Sequence, residues 1–170
     1  IEDFMRDEVL PRYANTHTEA SATGLQTTRF REEARSIIAS SVGASSEDAV
    51  IFVGSGATGA IHRLVDLLGL RAQSTKKPPS EERPVVFIGP YEHHSNILPW
   101  VHSRADLIVI PLDANGSLDL VALERSLQEH ADRPLRIGSF SAASNVTGIA
   151  TDTIAVATLL HRYGALSLWD

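Results

Sequence analysis

The residues best suited to chemistry form a glycine-containing turn, Gly54-Ser55-Gly56-Ala57-Thr58, directly after the apolar run 50–53. The run predicts a short strand, and the turn predicts the start of a helix that continues through about Leu70. The first N–H groups of a helix have no partner within it, and the helix dipole places partial positive charge there. The turn therefore predicts a phosphate site to which Ser55 and Thr58 add hydroxyl donors, although an ordinary strand-to-helix turn has the same composition.

The spacing of Gly54, Gly56 and Gly59 also satisfies the GxGxxG pattern of dinucleotide-binding turns. That pattern is accompanied by an acidic residue about 20 positions further on, after the second strand, which binds the ribose. Glu81 and Glu82 lie near that distance, but they precede the next apolar run. The glycines alone therefore leave the phosphate-bearing ligand open.

The later apolar runs are short and show no polar alternation, which is typical of strands covered on both faces. They predict strands over 85–88, 106–110, 135–140 and 165–169. Helical periodicity and capping residues predict helices over 28–42, 56–70, 119–130 and 151–163, with a short helix over 1–13 and loops over 14–23 and 72–84. Strands that alternate with helices form βαβ units, so the fold class is α/β, a mainly parallel sheet flanked by helices.

Ligands of parallel sheets bind beyond the carboxyl ends of the strands. The residues at those ends are 54–58, Tyr91 to His94, Ser141 to Asn145, and Asp170. One rim thus collects a phosphate turn, histidines, an asparagine and a carboxylate, and we expect a binding site there. Each residue also has an ordinary structural role open to it, and His94 in particular is expected to pack or to cap a helix.

Composition excludes several classes of protein. The net charge of −6 without a basic block argues against nucleic-acid binding, and no apolar run approaches the length of a membrane span. The absence of cysteine excludes a thiol nucleophile and Cys-ligated zinc within these residues, and the histidine spacing does not indicate a metal site. The chain begins without Met and ends at Asp170, so we expect a piece of a longer, cytoplasmic protein.

Four segments resemble motifs of the class V aminotransferase and cysteine desulfurase family, whose members bind pyridoxal phosphate on the type I fold. Residues 55–58 resemble its SGAT phosphate turn, and residues 92–100 resemble the EHHANxxPW segment of desulfurase-like and selenocysteine lyase-like members. Residues 144–148 resemble its SNxxG turn, and 168–170 end on what resembles its cofactor aspartate. The order and the gaps agree with the family, and residues 13–18 are similar to its YGNPHS stretch.

The resemblance implies a role for each rim residue. The N–H groups of Ala57 and Thr58, with the Thr58 hydroxyl, would hold the cofactor phosphate. His93 would stack on the pyridine ring and is a candidate acid or base. Asn145 would hydrogen-bond the phenolic oxygen. Asp170 would pair with the pyridine nitrogen and keep it protonated, which makes the ring a better electron sink.

The resemblance also implies an incomplete enzyme. In the family, the Schiff-base lysine and the desulfurase cysteine both lie later in the chain than the cofactor aspartate. Lys76 and Lys77 are predicted to lie in a polar loop away from the rim and cannot replace that lysine. We therefore expect residues 1–170 to be a partial large domain without the small C-terminal domain, inactive alone. In the family, the strands that flank the predicted strand 50–53 also come from later residues.

These observations predict a pyridoxal phosphate-dependent transferase or lyase that acts on an amino acid and is a homodimer when whole. Residues 92–100 favour cysteine desulfurase-like C–S cleavage over transamination by a class V aminotransferase. Two alternatives stay open. An NAD-binding Rossmann oxidoreductase would explain the glycines but not His93, Asn145 or Asp170, and a non-catalytic domain could keep the fold as an interaction platform.

Overall fold

The computed structural model describes residues 1–18, 20–72 and 78–170. The chain divides into two compact units, Ile1–Phe52 and Val53–Asp170, which are described separately. Lys76 and Lys77 lie outside the described residues, and so does much of the loop predicted over 72–84. Within the described residues, no helix combines the length and apolar character that a membrane span requires.

The first unit is helical. It begins with α1 (Glu2–Phe4), which continues as a π-helical turn (Met5–Val9) and a 3-10 turn (Leu10–Arg12). The longer α2 (Ala22–Ser41) begins earlier than the predicted residue 28, because the Ser21 hydroxyl accepts a hydrogen bond from the N–H of Gly24 and caps the helix there.

The second unit contains a four-stranded sheet with the order β2-β1-β3-β4. Its strands are β1 (Val85–Ile88), β2 (Asp106–Val109), β3 (Arg136–Phe140) and β4 (Leu166–Trp169). All three pairings are parallel. The predicted α/β fold with a mainly parallel sheet is confirmed.

Four helices accompany this sheet: α3 (Gly56–Leu67), α4 (His94–Val101), α5 (Leu120–Glu129) and α6 (Thr153–Arg162). Asp119 caps α5 and Asp152 caps α6, each by accepting hydrogen bonds from main-chain N–H groups of the first turn. The helix start predicted at Asp119 is therefore confirmed, and of the two residues that could open the last helix, Thr151 and Asp152, the cap is Asp152. Helix α4 was not predicted, and it carries Pro99 in its interior, where proline is disfavoured.

The strand predicted over 50–53 is wrong. Within the described residues no strand forms there, and none of the four strands pairs with it. A strand needs a neighbour for its N–H and C=O groups, and the described residues supply none to residues 50–53. Ile51 and Phe52 are accordingly exposed.

Both faces of the sheet are covered, as the unbroken apolar run of β1 predicts. Val85 and Phe87 belong to one core cluster, which includes residues of α5 and α6. Val86 and Ile88 point to the opposite face and belong to a second cluster, which includes residues of α3 and α4. The sheet is thus held between two helical layers, and the carboxyl ends of its strands are left to form a rim.

Candidate functional site

A cavity of about 410 Å³ lies at the carboxyl ends of the strands, within the second unit. The first turn of α3 and the segments that follow β1, β3 and β4 line it. Its lining residues are Ala57, Thr58, His93, Ser95, Ser141, Ala143, Asn145 and Asp170. The structure therefore brings all five predicted site residues together around one hollow, because parallel strands end on the same side of the sheet.

The N-terminus of α3 borders this cavity through Ala57 and Thr58. The chain turns into the helix with two consecutive left-handed residues, Ser55 at φ 64° and Gly56 at φ 60°. That conformation is uncommon for a residue other than glycine. No side chain caps the first turn of α3, in contrast to α5 and α6. The first-turn N–H groups are thus left for another acceptor, such as an anion.

Gly59 is required by packing in the same turn. A Cβ atom on Gly59 would collide with the main-chain carbonyl oxygen of Gly54, whereas one on Gly54 would meet open space. The third glycine of the GxGxxG pattern therefore allows the turn to close against the helix. This packing reason is independent of the type of ligand.

His93 lies at the rim after β1 and is the N-cap residue of α4. Its Nδ1 accepts a hydrogen bond from the Ser95 N–H at 3.2 Å and lies 2.8 Å from the Ser95 Oγ. The cap is therefore His93 and not His94, which corrects the expectation for the second histidine. His94 is exposed, and its ring centroid lies 6.3 Å from that of His93.

Asp170 is fixed by continuation of the sheet beyond β4. Its N–H donates to the Phe140 carbonyl at 3.0 Å, and its own carbonyl accepts from the Ala142 N–H at 3.0 Å. Its side-chain Oδ2 accepts a hydrogen bond from the Ser95 hydroxyl at 3.0 Å. Its Oδ1 receives no hydrogen bond from the residues that the structure describes, so one carboxylate oxygen is free for a ligand.

Asn145 lies in a turn after β3 that the hydroxyl and carbonyl of Ser144 organise. The Ser144 Oγ accepts hydrogen bonds from the N–H groups of Val146 and Thr147, and its carbonyl accepts from Gly148 at 2.8 Å. The side chain of Asn145 is exposed at the cavity edge. The turn thus holds its amide on the side of the cavity formed by the segment after β3.

A buried polar network beneath the cavity was missed from the sequence. Glu92 accepts hydrogen bonds from the Asn96 amide and the Ser141 hydroxyl, and Asn96 is also hydrogen-bonded to Trp100 and Ser139. All except Ser141 are buried. The i, i+4 spacing of 96 and 100 is the signal that would place Asn96 and Trp100 on one face of a helix, whereas Glu92 precedes that helix and has no such signal.

A second cavity of about 400 Å³ lies beside the carboxyl ends of β1 and β3, next to α5 and α6. It contains none of the predicted site residues, and two of its carboxylates, Asp119 and Asp152, are engaged as helix caps. In the described part of the chain, no group of three histidine, aspartate or glutamate residues could hold a metal ion. The first cavity therefore remains the best candidate for a ligand site.

The fold is that of an α/β protein with a cavity at the strand ends of a parallel sheet. The chain belongs to the class-V aminotransferase family, whose model matches residues 3–170. The resemblance seen in the sequence is therefore confirmed. Aminotransferases of this class and cysteine desulfurases are enzymes that use pyridoxal phosphate.

Relatives and solved structures agree with this assignment. The chain is 31% identical over 169 residues to a probable cysteine desulfurase of Halalkalibacterium halodurans. The aligned region covers 96% of this chain and 39% of the relative. It is 30% identical to a cysteine desulfurase of Dickeya dadantii, with 99% of this chain and 39% of the relative covered.

An apo structure of the cysteine desulfurase from Thermococcus onnurineus NA1 superposes with a TM-score of 0.75 at 24% identity. The superposition covers 99% of this chain and 40% of that protein, and it supports the fold. The chain thus spans about two fifths of the length of these relatives.

Proposed function

We propose that this chain is the cofactor-binding core of a pyridoxal phosphate-dependent enzyme that acts on an amino acid. The convergence of Thr58, His93, Asn145 and Asp170 on one cavity carries the proposal. Because the chain spans about two fifths of its relatives, residues outside it would complete the site. Residues 1–170 would then be part of a large domain, with the Schiff-base lysine and a small domain supplied from elsewhere, in a cytoplasmic homodimer.

The phosphate group fits the first turn of α3. The N–H groups of Ala57 and Thr58 have no side-chain cap to compete with a ligand, and the Thr58 hydroxyl adds a donor at the cavity wall. The helix dipole favours negative charge at this end. The open space around Gly54 and Gly56 leaves the main chain accessible to a phosphate oxygen.

The pyridine ring fits between His93 and Asp170. The free Oδ1 of Asp170 would accept a hydrogen bond from the protonated ring nitrogen, and the imidazole of His93 would cover the face of the ring. Asn145 would donate its amide N–H to the phenolic oxygen. These assignments agree with a cavity that contains an acid, an amide and a flat imidazole beside an anion-binding turn.

When bound, pyridoxal phosphate supplies an electron sink that stabilises negative charge at the α-carbon of an amino acid. In this chain, His93 is the ring residue available for proton transfer. Its Nδ1 is engaged with Ser95, whereas its Nε2 has no partner within the described residues. Nε2 would therefore be the atom that accepts or releases a proton during the reaction, in the ring tautomer whose Nδ1 proton is donated to the Ser95 Oγ.

Cysteine desulfurase-like cleavage of the C–S bond is favoured over transamination. The relatives with 30–31% identity cited above are named as cysteine desulfurases, and residues 92–100 resemble the segment of desulfurase-like members. The substrate would then be L-cysteine. Any cysteine nucleophile would come from outside these residues, since the chain contains none.

Neither alternative accounts for the cavity as well. A Rossmann dinucleotide site needs an acidic residue after its second strand, and Glu81 and Glu82 lie before β1. A non-catalytic platform does not require an uncapped helix end, an acid and an imidazole to share one hollow. Family membership also favours pyridoxal phosphate over NAD.

The test is to titrate the full-length gene product with pyridoxal phosphate and record the visible absorbance of the bound cofactor. We expect saturable binding that a carbonyl scavenger reverses, and the loaded protein should convert L-cysteine to L-alanine, with the sulfur released as sulfide when a thiol reductant is added. Binding of NAD with no such absorbance would overturn the proposal, and binding of neither ligand would favour the platform. Cofactor binding with transfer of the amino group of L-alanine to a 2-oxo acid, and no sulfide, would select the aminotransferase.

A further inference from the structure

Ser95 connects two residues of the cavity that the sequence did not link. Its Oγ lies 2.8 Å from His93 Nδ1 and 3.0 Å from Asp170 Oδ2. Ser95 is buried at the first turn of α4, and its own N–H also donates to His93 Nδ1 at 3.2 Å. The hydroxyl is therefore held within hydrogen-bond distance of an imidazole nitrogen and a carboxylate at the same time.

The hydroxyl of Ser95 has one proton and two neighbours that can accept it. When His93 Nδ1 carries no proton, it can accept from the Ser95 hydroxyl, and Asp170 Oδ2 then loses that hydrogen bond. When Nδ1 is protonated, it can no longer accept from the Ser95 N–H; it donates to the Ser95 Oγ, and the hydroxyl proton turns to Asp170. The proton on His93 Nδ1 thus decides which residue receives the Ser95 hydroxyl.

We propose that Ser95 is a positioning residue that couples the proton on His93 to the carboxylate of Asp170. This inference rests on the proposed function, in which His93 lies over the cofactor ring and Asp170 binds the ring nitrogen. A change in the protonation of His93 would then alter the hydrogen bonding of Asp170, and the reverse. Ser95 itself would not contact the cofactor ring. It would transmit a change in hydrogen bonding between His93 and Asp170, which would contact the ring.

Other charged groups near His93 are few. Beside it on the chain, His94 is the first residue of α4 and Glu92 is committed to the buried network. From α3 the cavity receives only Ala57 and Thr58, which do not titrate, and from the segment after β3 only Ser141, Ala143 and Asn145. Among the residues that line the cavity, Asp170 is therefore the carboxylate that Ser95 links to His93.

The experiment measures the ¹⁵N resonances of the His93 ring in the full-length gene product, labelled at histidine and prepared without cofactor. Spectra are recorded from about pH 5 to pH 9, a range that spans imidazole titration. His93→Gln assigns the signal. Three proteins serve as parents: the unchanged chain, Ser95→Ala and Ser95→Thr. Asp170→Asn is introduced into each, and each resulting variant is compared with the parent that keeps Asp170.

We expect Asp170→Asn to displace the Nδ1 resonance of His93 when residue 95 is serine, and the displacement to be at least about twofold smaller in Ser95→Ala. Ser95→Thr keeps the hydroxyl and should restore the full displacement. Ser95→Ala keeps the main-chain N–H that bonds His93, so α4 retains its cap. The direct charge effect of Asp170 is present in every pair and cancels in the comparison.

Equal displacements in the serine and alanine backgrounds would overturn the coupling, since a purely structural serine transmits nothing. The outcome is independent of cofactor binding. If the coupling is observed in a protein that does not bind pyridoxal phosphate, the role of the Ser95 hydroxyl is supported and only the proposed function is excluded. If the protein binds the cofactor but shows no coupling, the proposed function is supported and the coupling is excluded.

Discussion

The Ser141 hydroxyl donates a hydrogen bond to the carboxylate of Glu92 at 2.7 Å and joins the segment after β3 to the residue before His93. The same carboxylate accepts from the Gly89 N–H at 3.1 Å and from the Asn96 amide at 2.8 Å. Three donors from three segments thus converge on one buried side chain. This arrangement fixes the start of α4, and with it the position of His93.

Glu92→Gln should destabilise the protein by about 1–3 kcal/mol, because the amide N–H₂ of glutamine would face one of these donors and leave it unsatisfied. Urea unfolding of the full-length gene product measures the loss. Glu82→Gln, at an exposed position in a 3-10 turn, is the control and should change stability by no more than about 0.5 kcal/mol. Equal effects of the two substitutions would contradict the role given to Glu92.

Gly59→Ala should destabilise the turn before α3, although alanine favours helices, because the new Cβ has no room beside the Gly54 carbonyl. Overpacking of this kind costs about 1–3 kcal/mol. Gly54→Ala is the matched control, since its Cβ meets open space and its backbone is not left-handed. The free energy of unfolding, measured in urea, should fall for Gly59→Ala and stay near that of the parent for Gly54→Ala. The reverse order would show that the turn is built differently.

Thr58→Val should weaken pyridoxal phosphate binding about tenfold, which corresponds to ~1.4 kcal/mol for a lost hydrogen bond to a charged group. Thr58→Ser keeps the hydroxyl and should bind nearly as well as the parent. Thr158→Val, on the exposed face of α6, controls for the change of side chain. Titration of the visible absorbance gives the affinities. Unchanged binding in Thr58→Val would remove the hydroxyl from the proposed phosphate site.

The ion pair of Asp66 and Arg71 at the end of α3 should make stability depend on pH. The guanidinium donates to both carboxylate oxygens, at 2.6 and 2.8 Å, and these bonds hold the pKa of Asp66 below its ordinary value. A lowered pKa means that the folded state binds the proton less readily, so this stabilisation is present near neutral pH and is lost as pH falls through the folded-state pKa.

Asp66→Asn should therefore be less stable than the parent at neutral pH, and the difference should vanish on acidification. Urea unfolding at several pH values measures it. Because the pair is exposed, the effect is small and should shrink further at about 1 M salt. Glu129→Gln, an exposed carboxylate at the end of α5, is the control. A difference that grows toward acid pH would contradict the assigned sign.

The strands and most helices could be predicted because their signals are local. The apolar run 85–88 forms a strand buried on both faces, and Asp119 and Asp152 cap helices where the sequence placed them. Helix α4 could not be predicted in the same way, since its stability comes from buried contacts of Asn96 and Trp100 with β3 rather than from local propensity. The prediction of a strand over 50–53 was wrong for the opposite reason: its local pattern is strand-like, but no strand in the described part of the chain pairs with it.

The sequence by itself determined the family, the alternation of strands and helices, and the five residues expected at the rim. These follow from motifs and from the rule that parallel strands end on one side. Only the tertiary structure decided that Ser95 lies between His93 and Asp170, and that Glu92 ties α4 to the segment after β3. Such contacts join residues 75 and 49 positions apart, and their distance depends on how the whole sheet packs rather than on any local pattern.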